Sequence, residues 1–163
     1  MNDTQHFLSI VTPTYNRAAL LRNCYEALCG QTNFDFEWII VDDGSTDDTE
    51  AAVRSFQTDK FPILYRKKAN GGKHTALNEA HALIRGRYVL ILDSDDTLTG
   101  DAVDTVIAEW RKWEQNAAVG IVTFLKGENV KDPNCIVSDW DTPVDIMRYR
   151  RICTHGNDCC EVI

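Results

Sequence analysis

The chain has 163 residues, 44% of them hydrophobic and 26% charged, which suits one globular domain with a buried core. Its formal net charge of −8 excludes general nucleic-acid binding, because that function needs a basic surface. No apolar run is long enough to cross a bilayer, and the N-terminus lacks the basic start and cleavage site of a signal peptide. We therefore expect a cytoplasmic protein, and peripheral association with the inner face of the membrane is compatible with the sequence.

Short apolar runs rich in β-branched residues alternate with segments in which apolar residues recur at helical spacing. The runs predict strands, and the amphipathic segments, two of which end at glycine, predict helices. In chain order the predicted elements are strand 7–12, helix 19–30, strand 36–41, helix 45–56, strand 62–66, helix 74–86, strand 87–92, helix 100–115 and strand 118–125. This alternation predicts an α/β fold with a mostly parallel central sheet and helices on both faces.

The alternation fades after residue 125 into a mixed polar segment that carries two of the four prolines. We therefore predict an α/β domain over 1–125 and a second, incomplete region over 126–163. The chain stops at EVI without a capping or stop signal, so we expect it to be a piece of a longer protein.

The six cysteines are scattered, with no CxxC pair, and we expect reduced thiols because no secretory signal accompanies them. Cys153, His155, Cys159 and Cys160 do not follow the spacing of a zinc site, since adjacent cysteines rarely both bind one metal. A structural zinc ion is not expected there.

The predicted strand 87–92 runs directly into three carboxylates, Asp93, Asp95 and Asp96. Like charges this close repel one another unless a cation neutralises them. On a strand that ends in a turn, Asp93 and Asp95 can face one point while Asp96 turns aside. Such hard oxygen ligands suit Mg²⁺ or Mn²⁺, with substrate phosphates completing the coordination. A turn that caps the next helix would also explain these residues, so the motif alone leaves both interpretations open.

Polar residues also follow the other predicted strands, at the sheet edge where ligands bind in parallel α/β folds. Tyr15 in TPTYNR offers a flat face for stacking on a base, and Asp42 and Asp43 in DDGSTDD can accept hydrogen bonds from a base or a ribose. Gly72 and Lys73 in KKANGGKH precede a helix in a locally basic patch that could receive a diphosphate. Ordinary strand–helix turns explain each stretch as well. The patterns GxxxxGK[ST] and GxGxxG are absent, which disfavours a P-loop NTPase and a dinucleotide-binding fold.

As a set, SIVTPTYNR, QTNFDFEWIIVDDGSTDDT, NGGKHTALNEA and GRYVLILDSDD resemble the family 2 glycosyltransferases, in this order and over roughly residues 7–100. The resemblance implies the glycosyltransferase A fold, in which a nucleotide-binding α/β half is joined to an acceptor-binding half. It implies transfer of a sugar from a nucleotide-diphosphate sugar, usually a UDP-sugar, to a saccharide or lipid-linked acceptor, with inversion. Residues 126–163 would begin the acceptor half, and bacterial polysaccharide biosynthesis is the family-level expectation.

The resemblance also implies roles for the residues of the first two loops. Thr12, Pro13 and Tyr15 would line the pocket for the base and the ribose. Asp43, with Asp42 beside it, would recognise the uracil.

The other two loops would handle the diphosphate. By resemblance, Gly72 and Lys73 lie along the donor. Asp93 and Asp95 form the DxD pair that contacts the ribose and a Mg²⁺ or Mn²⁺ ion on the diphosphate, with Asp96 close by.

Inversion requires a general base that deprotonates the acceptor hydroxyl. In relatives this is an acidic residue well downstream of DxD, and no residue here stands in a recognisable context for it. The available acidic residues are Asp139, Asp141, Asp145, Asp158 and Glu161. A glycosyltransferase remains the leading hypothesis, and the missing base supports one alternative, a non-catalytic module that binds a nucleotide-sugar or a partner protein. A nucleotidyltransferase, which also uses carboxylates and a metal on an α/β sheet, is another. The second normally carries a glycine-rich basic signature near the N-terminus, which VTPTYNR lacks.

Overall fold

The structure is a computed structural model that describes residues 6–116 and two later strands, 122–125 and 159–162. Ten elements are described in this part of the chain. They are β1 (Leu8–Thr14), α1 (Ala18–Cys29), β2 (Phe36–Asp42), α2 (Thr49–Arg54), β3 (Ile63–Lys67), α3 (Lys73–His81), β4 (Tyr88–Ile91), α4 (Ala102–Trp113), β5 (Val122–Leu125) and β6 (Cys159–Val162).

The strands form one sheet in the order β3-β2-β1-β4-β6-β5. The first four are parallel, while β6 is antiparallel to both β4 and β5. The register pairs Thr14 with Asp42, and Asp42 with Lys67, so β1, β2 and β3 end side by side. The α/β fold with a mostly parallel sheet is confirmed, and the loops after β1, β2, β3 and β4 share one edge.

Both faces of the parallel part of the sheet are covered, as the sequence predicts. Alternate residues of a strand point to opposite faces. Ile10 of β1 belongs to a core shared with α1, α2 and α4, whereas its neighbour Val11 packs in a second core with Ala76 and Ala80 of α3. β1 is therefore buried on both faces, and all seven of its residues are buried.

The helix predicted over 45–56 is shorter in the structure because two side chains outside it accept hydrogen bonds from the first backbone N–H groups of this segment. α2 begins at Thr49. The Asp42 carboxylate accepts the N–H of Ser45 at 2.7 Å, and the side-chain oxygen of Asn16 accepts the next two backbone N–H groups at 2.8 and 3.3 Å. These amides are satisfied without a helical turn, so the helix starts later.

Strand β6 is the element that sequence reasoning missed. It lies between β4 and β5, and its residue Val162 pairs with Leu90 of β4 and Val122 of β5. The segment 126–163 thus contributes four residues to the central sheet. Whether the rest of this segment forms a separate region stays a prediction.

At the edge opposite the four loops, the turn between α3 and β4 lies directly against β1. The Gly86 N–H donates to the Ser9 hydroxyl at 2.9 Å, and the Arg85 N–H donates to the Glu37 carboxylate at 2.7 Å. Glu37 is 1% exposed and also accepts the Ser9 hydroxyl proton at 2.6 Å. This network holds the turn from which β4 begins against β1 and β2.

None of the helices in the described residues combines the length and the apolar character that a membrane span requires.

Candidate functional site

The first loop presents one large exposed ring. Tyr15 is 47% exposed, whereas Thr12 and Pro13 are buried. The Thr12 hydroxyl accepts a hydrogen bond from the indole N–H of Trp38 at 2.9 Å, inside the core. Of the three residues expected in a base pocket, only Tyr15 has a side chain available to a ligand in this structure.

Asp42 is fully buried at the end of β2, and both of its carboxylate oxygens are engaged. One accepts the N–H of Ser45, and the other accepts the hydroxyl proton of Tyr65 at 2.6 Å. Burial, followed by this hydrogen bond, raises the pKa of Tyr65 well above its usual value of 10.0. Asp42 therefore shapes the loop after β2 from inside the protein.

Asp43 joins the end of β2 to the loop before α3. Its carboxylate accepts the ammonium of Lys68 at 2.6 Å and the backbone N–H groups of Gly71 (3.0 Å) and Gly72 (2.6 Å). Burial alone would raise the pKa of Asp43, but these hydrogen bonds outweigh it and hold the pKa below its usual value of 3.8. A base recognised directly by Asp43 would share the carboxylate with these three donors.

The backbone conformation at position 72 favours glycine. Gly72 has a φ of +91°, a conformation that residues with a side chain rarely adopt, and it immediately precedes α3. This turn aims its own N–H at Asp43 and places Lys73 at the first helical position, facing the loop after β4.

Asp47 lies between the first turns of two helices. Its carboxylate accepts the N–H of Thr49, the first residue of α2, at 3.0 Å and that of Ala18, the first residue of α1, at 3.3 Å. Its hydrogen bonds with Thr49 lower the pKa of Asp47. Asp47 is thus explained by the helix N-termini that it neutralises.

The three carboxylates after β4 form a tight turn in which the Asp96 N–H donates to the Asp93 carbonyl at 2.9 Å. The two carboxylate oxygens of Asp93 lie 2.6 and 2.8 Å from the Lys73 ammonium, and Asp95 lies 2.9 Å from the Arg17 guanidinium. The structure therefore brings together Lys73, Asp93 and Asp95, which the sequence predicts as site residues. Arg17 is a further cation at this cluster, through its contact with Asp95.

Within the described residues, no three His, Cys, Asp or Glu side chains are arranged to hold a metal ion. Asp93 and Asp95 nevertheless supply hard oxygen atoms at the sheet edge where a ligand would bind. Magnesium ions are commonly bound by one or two carboxylates plus substrate phosphates. The donor set fits an Mg²⁺ or Mn²⁺ ion that completes its coordination with a bound diphosphate. Participation of Asp96 stays a prediction.

Cys24 of α1 contacts the backbone of this turn, a role that the sequence analysis did not predict. Its buried thiol lies 3.1 Å from the Asp96 carbonyl oxygen and 3.5 Å from that of Ser94. Burial, and then the charges of Asp96 and Asp95, raise the pKa of Cys24 from 9.0 to about 11. Cys24 stays a protonated donor to these carbonyls near neutral pH.

Two groups of residues from the sequence analysis have no described side chains. Asp139, Asp141, Asp145 and Asp158, considered as the general base, lie outside the described residues. So do Cys153 and His155, two of the four residues whose spacing does not match a zinc site. Glu161 and the two cysteines Cys159 and Cys160 lie on β6, where the backbone pairing is described.

Residues 9–161 match the family model for glycosyl transferase family 2, so the chain belongs to that family. The chondroitin synthase of Escherichia coli is 33% identical over 152 residues, which cover 91% of this chain and 22% of that protein. The chain therefore spans about a fifth of the length of this relative.

Solved structures show the same fold. The mannosyltransferase PcManGT from Pyrobaculum calidifontis, in complex with GDP-Man and Mn²⁺, is 30% identical with a TM-score of 0.64, over 76% of this chain and 37% of that one. S. aureus TarS 1–349 in complex with UDP-GlcNAc is 26% identical with a TM-score of 0.61, over 72% and 33% of the two chains. The chain has the glycosyltransferase A fold.

Proposed function

We propose that this chain forms the donor-binding half of a glycosyltransferase that moves a sugar from a UDP-sugar to a saccharide or lipid-linked acceptor, with inversion and with help from a divalent cation. The observation that carries the proposal is the convergence of Asp93, Asp95, Lys73 and Arg17 at one edge of the sheet. Tyr15, whose ring is exposed, precedes Arg17 by two positions in the same loop. Two carboxylates, two cations and an aromatic face match the metal, diphosphate and base of such a donor.

Each group has a separate task in this proposal. Tyr15 stacks on the base, and the buried carboxylates of Asp42 and Asp43 hold the surrounding loops in place. Lys73 and Arg17 bind diphosphate oxygens, and Asp93 and Asp95 bind the cation. When bound, an Mg²⁺ or Mn²⁺ ion would stabilise the charge that develops on the leaving diphosphate. A general base is still needed to deprotonate the acceptor hydroxyl.

The choice of UDP has mixed support among the structural neighbours, since one was solved with UDP-GlcNAc and another with GDP-Man. The family membership leaves the nucleotidyltransferase alternative without support. The non-catalytic alternative predicts no sugar transfer, whereas our proposal does. Both predict that the chain binds the donor.

Calorimetric titration with UDP is the experiment that tests the donor site. We expect UDP to bind in the presence of Mn²⁺, to bind far more weakly in EDTA, and to bind more tightly than GDP. Asp95→Asn should lower the affinity on the order of tenfold or more, since it removes a charged metal ligand. Asp59→Asn makes the same change in charge at an exposed residue before β3 and should have no effect.

Three results would contradict parts of the proposal. If UDP binds in neither condition, the proposed donor site is wrong. If UDP binds equally well in EDTA, the proposed role of the metal is wrong. If GDP binds more tightly than UDP, the proposed nucleotide is wrong.

The exposed ring of Tyr15 gives a second expected result. Tyr15→Ala should weaken UDP binding by about 1–3 kcal/mol, the usual value of a base stacked on an aromatic side chain. Tyr15→Phe keeps the ring face and should bind normally. Because Tyr15 is 47% exposed, thermal unfolding should be similar for all three proteins. Equal UDP affinities of wild type and Tyr15→Ala would show that the ring does not contact the base.

A further inference from the structure

The two carboxylates proposed as metal ligands are already neutralised by cations of the same chain. Lys73, the first residue of α3, contacts both carboxylate oxygens of Asp93 at 2.6 and 2.8 Å. Arg17, immediately before α1, contacts Asp95 at 2.9 Å. Lys73 thus contacts both oxygens of Asp93 and Arg17 contacts one oxygen of Asp95, so a metal ion would compete with both cations for these carboxylates.

These two ion pairs are exposed enough to exchange partners. The side chains of Lys73 and Asp93 are 56% and 39% exposed, and those of Arg17 and Asp95 are 43% and 55% exposed. By contrast, the pair between Lys68 and Asp43 is 20% and 5% exposed and is reinforced by two backbone N–H groups. Exposed ion pairs add little to stability, so a competing ligand can separate them at small cost.

Charge balance indicates what drives such an exchange. In the two ion pairs, the carboxylates of Asp93 and Asp95 balance the ammonium of Lys73 and the guanidinium of Arg17. A divalent ion alone would give these four side chains an excess of two positive charges and would lie beside two like charges, which is unfavourable. A divalent ion that arrives with a doubly charged diphosphate restores the original balance, and both cations then have phosphate oxygens to bind.

We propose that Lys73 and Arg17 are exchangeable counter-ions of the DxD pair. Without donor they occupy Asp93 and Asp95. When a nucleotide diphosphate binds, they pass to its oxygens and leave the carboxylates to the divalent ion. This inference rests on the proposed function and adds a consequence to it: these cations make binding of the metal depend on binding of the nucleotide.

The test measures Mn²⁺ binding in the absence of nucleotide, by electron paramagnetic resonance of the free ion. The variants are Lys73→Gln, Arg17→Gln and, as a control, Lys112→Gln, which removes a cation from an exposed ion pair on α4. Lys73→Gln and Arg17→Gln should bind Mn²⁺ roughly three- to tenfold more tightly than wild type, as expected when a weak exposed competitor is removed. With saturating Mn²⁺, both should bind UDP roughly three- to tenfold more weakly. Lys112→Gln should resemble wild type in both measurements.

Opposite changes in the two affinities distinguish this role from a structural one, because a disturbed loop would weaken both. If neither Lys73→Gln nor Arg17→Gln binds Mn²⁺ more tightly than wild type, the exchange is wrong even where UDP binds as proposed. If both bind Mn²⁺ more tightly but no protein binds UDP, the competition with metal is supported and the proposed function fails.

Discussion

Replacing Asp43 with asparagine is expected to lower the free energy of unfolding by about 2–3 kcal/mol in the absence of any ligand. The carboxylate is buried and accepts the Lys68 ammonium together with the N–H groups of Gly71 and Gly72. The asparagine NH₂ group would face groups that are themselves donors, and the Lys68 charge would lose its partner. Chemical denaturation monitored by circular dichroism measures the loss.

The pH dependence of this difference follows from the lowered pKa of Asp43. A carboxyl group with a lower pKa in the folded state stabilises the protein above its unfolded pKa and ceases to do so as the pH falls through its folded pKa. The difference in unfolding free energy between wild type and Asp43→Asn should be constant above about pH 5. It should shrink as the pH falls below the pKa of a free aspartate side chain.

Asp104→Asn is the control for Asp43→Asn. Asp104 also has a lowered pKa, through hydrogen bonds from Thr32 and Asn33, but it is exposed at the start of α4. Its replacement should have a much smaller effect on unfolding. If Asp43→Asn unfolds as wild type does but no longer distinguishes UDP from GDP, Asp43 reads the base and does not hold the loop.

Replacing Gly86 with alanine is expected to cost at least about 3 kcal/mol of unfolding free energy, at the upper end of overpacking effects. A Cβ atom at Gly86 would lie 2.4 Å from the backbone nitrogen of Ser9 and 2.5 Å from the carbonyl carbon of Leu8. Both atoms belong to β1, which lies between β2 and β4 in the sheet. Neither atom can move away without disrupting the sheet. Thermal and chemical unfolding measure the effect.

Gly30→Ala is the matched control, because the added Cβ atom would meet its nearest neighbours, the carbonyl oxygens of Glu26 and Ala27, at 3.4 and 3.6 Å. Gly30 has a φ of −85°, which alanine adopts readily. Its stability should stay within about 0.5 kcal/mol of wild type. Equal stabilities for Gly86→Ala and Gly30→Ala would mean that the turn before β4 can move away from β1.

Local patterns were sufficient for the elements and insufficient for some of their ends. The helix expected from 45 begins at Thr49 because Asp42, the last residue of β2, and Asn16, in the loop after β1, accept the preceding backbone N–H groups. β6 is a strand of four residues, and its place in the sheet depends on pairing with Leu90 and Val122, which are far from it in sequence. Periodicity over so few residues does not distinguish a strand from a loop.

The sequence by itself determined the α/β alternation, the family resemblance and the edge of the sheet at which the polar residues gather. These follow from short-range periodicity and from the rule that parallel strands present their carboxyl ends together. Only the tertiary structure decided which charges pair. Arg17 meets Asp95 across 78 positions of sequence, and Lys73 meets Asp93 across 20. Strand order and register set these distances, and no local spacing encodes them.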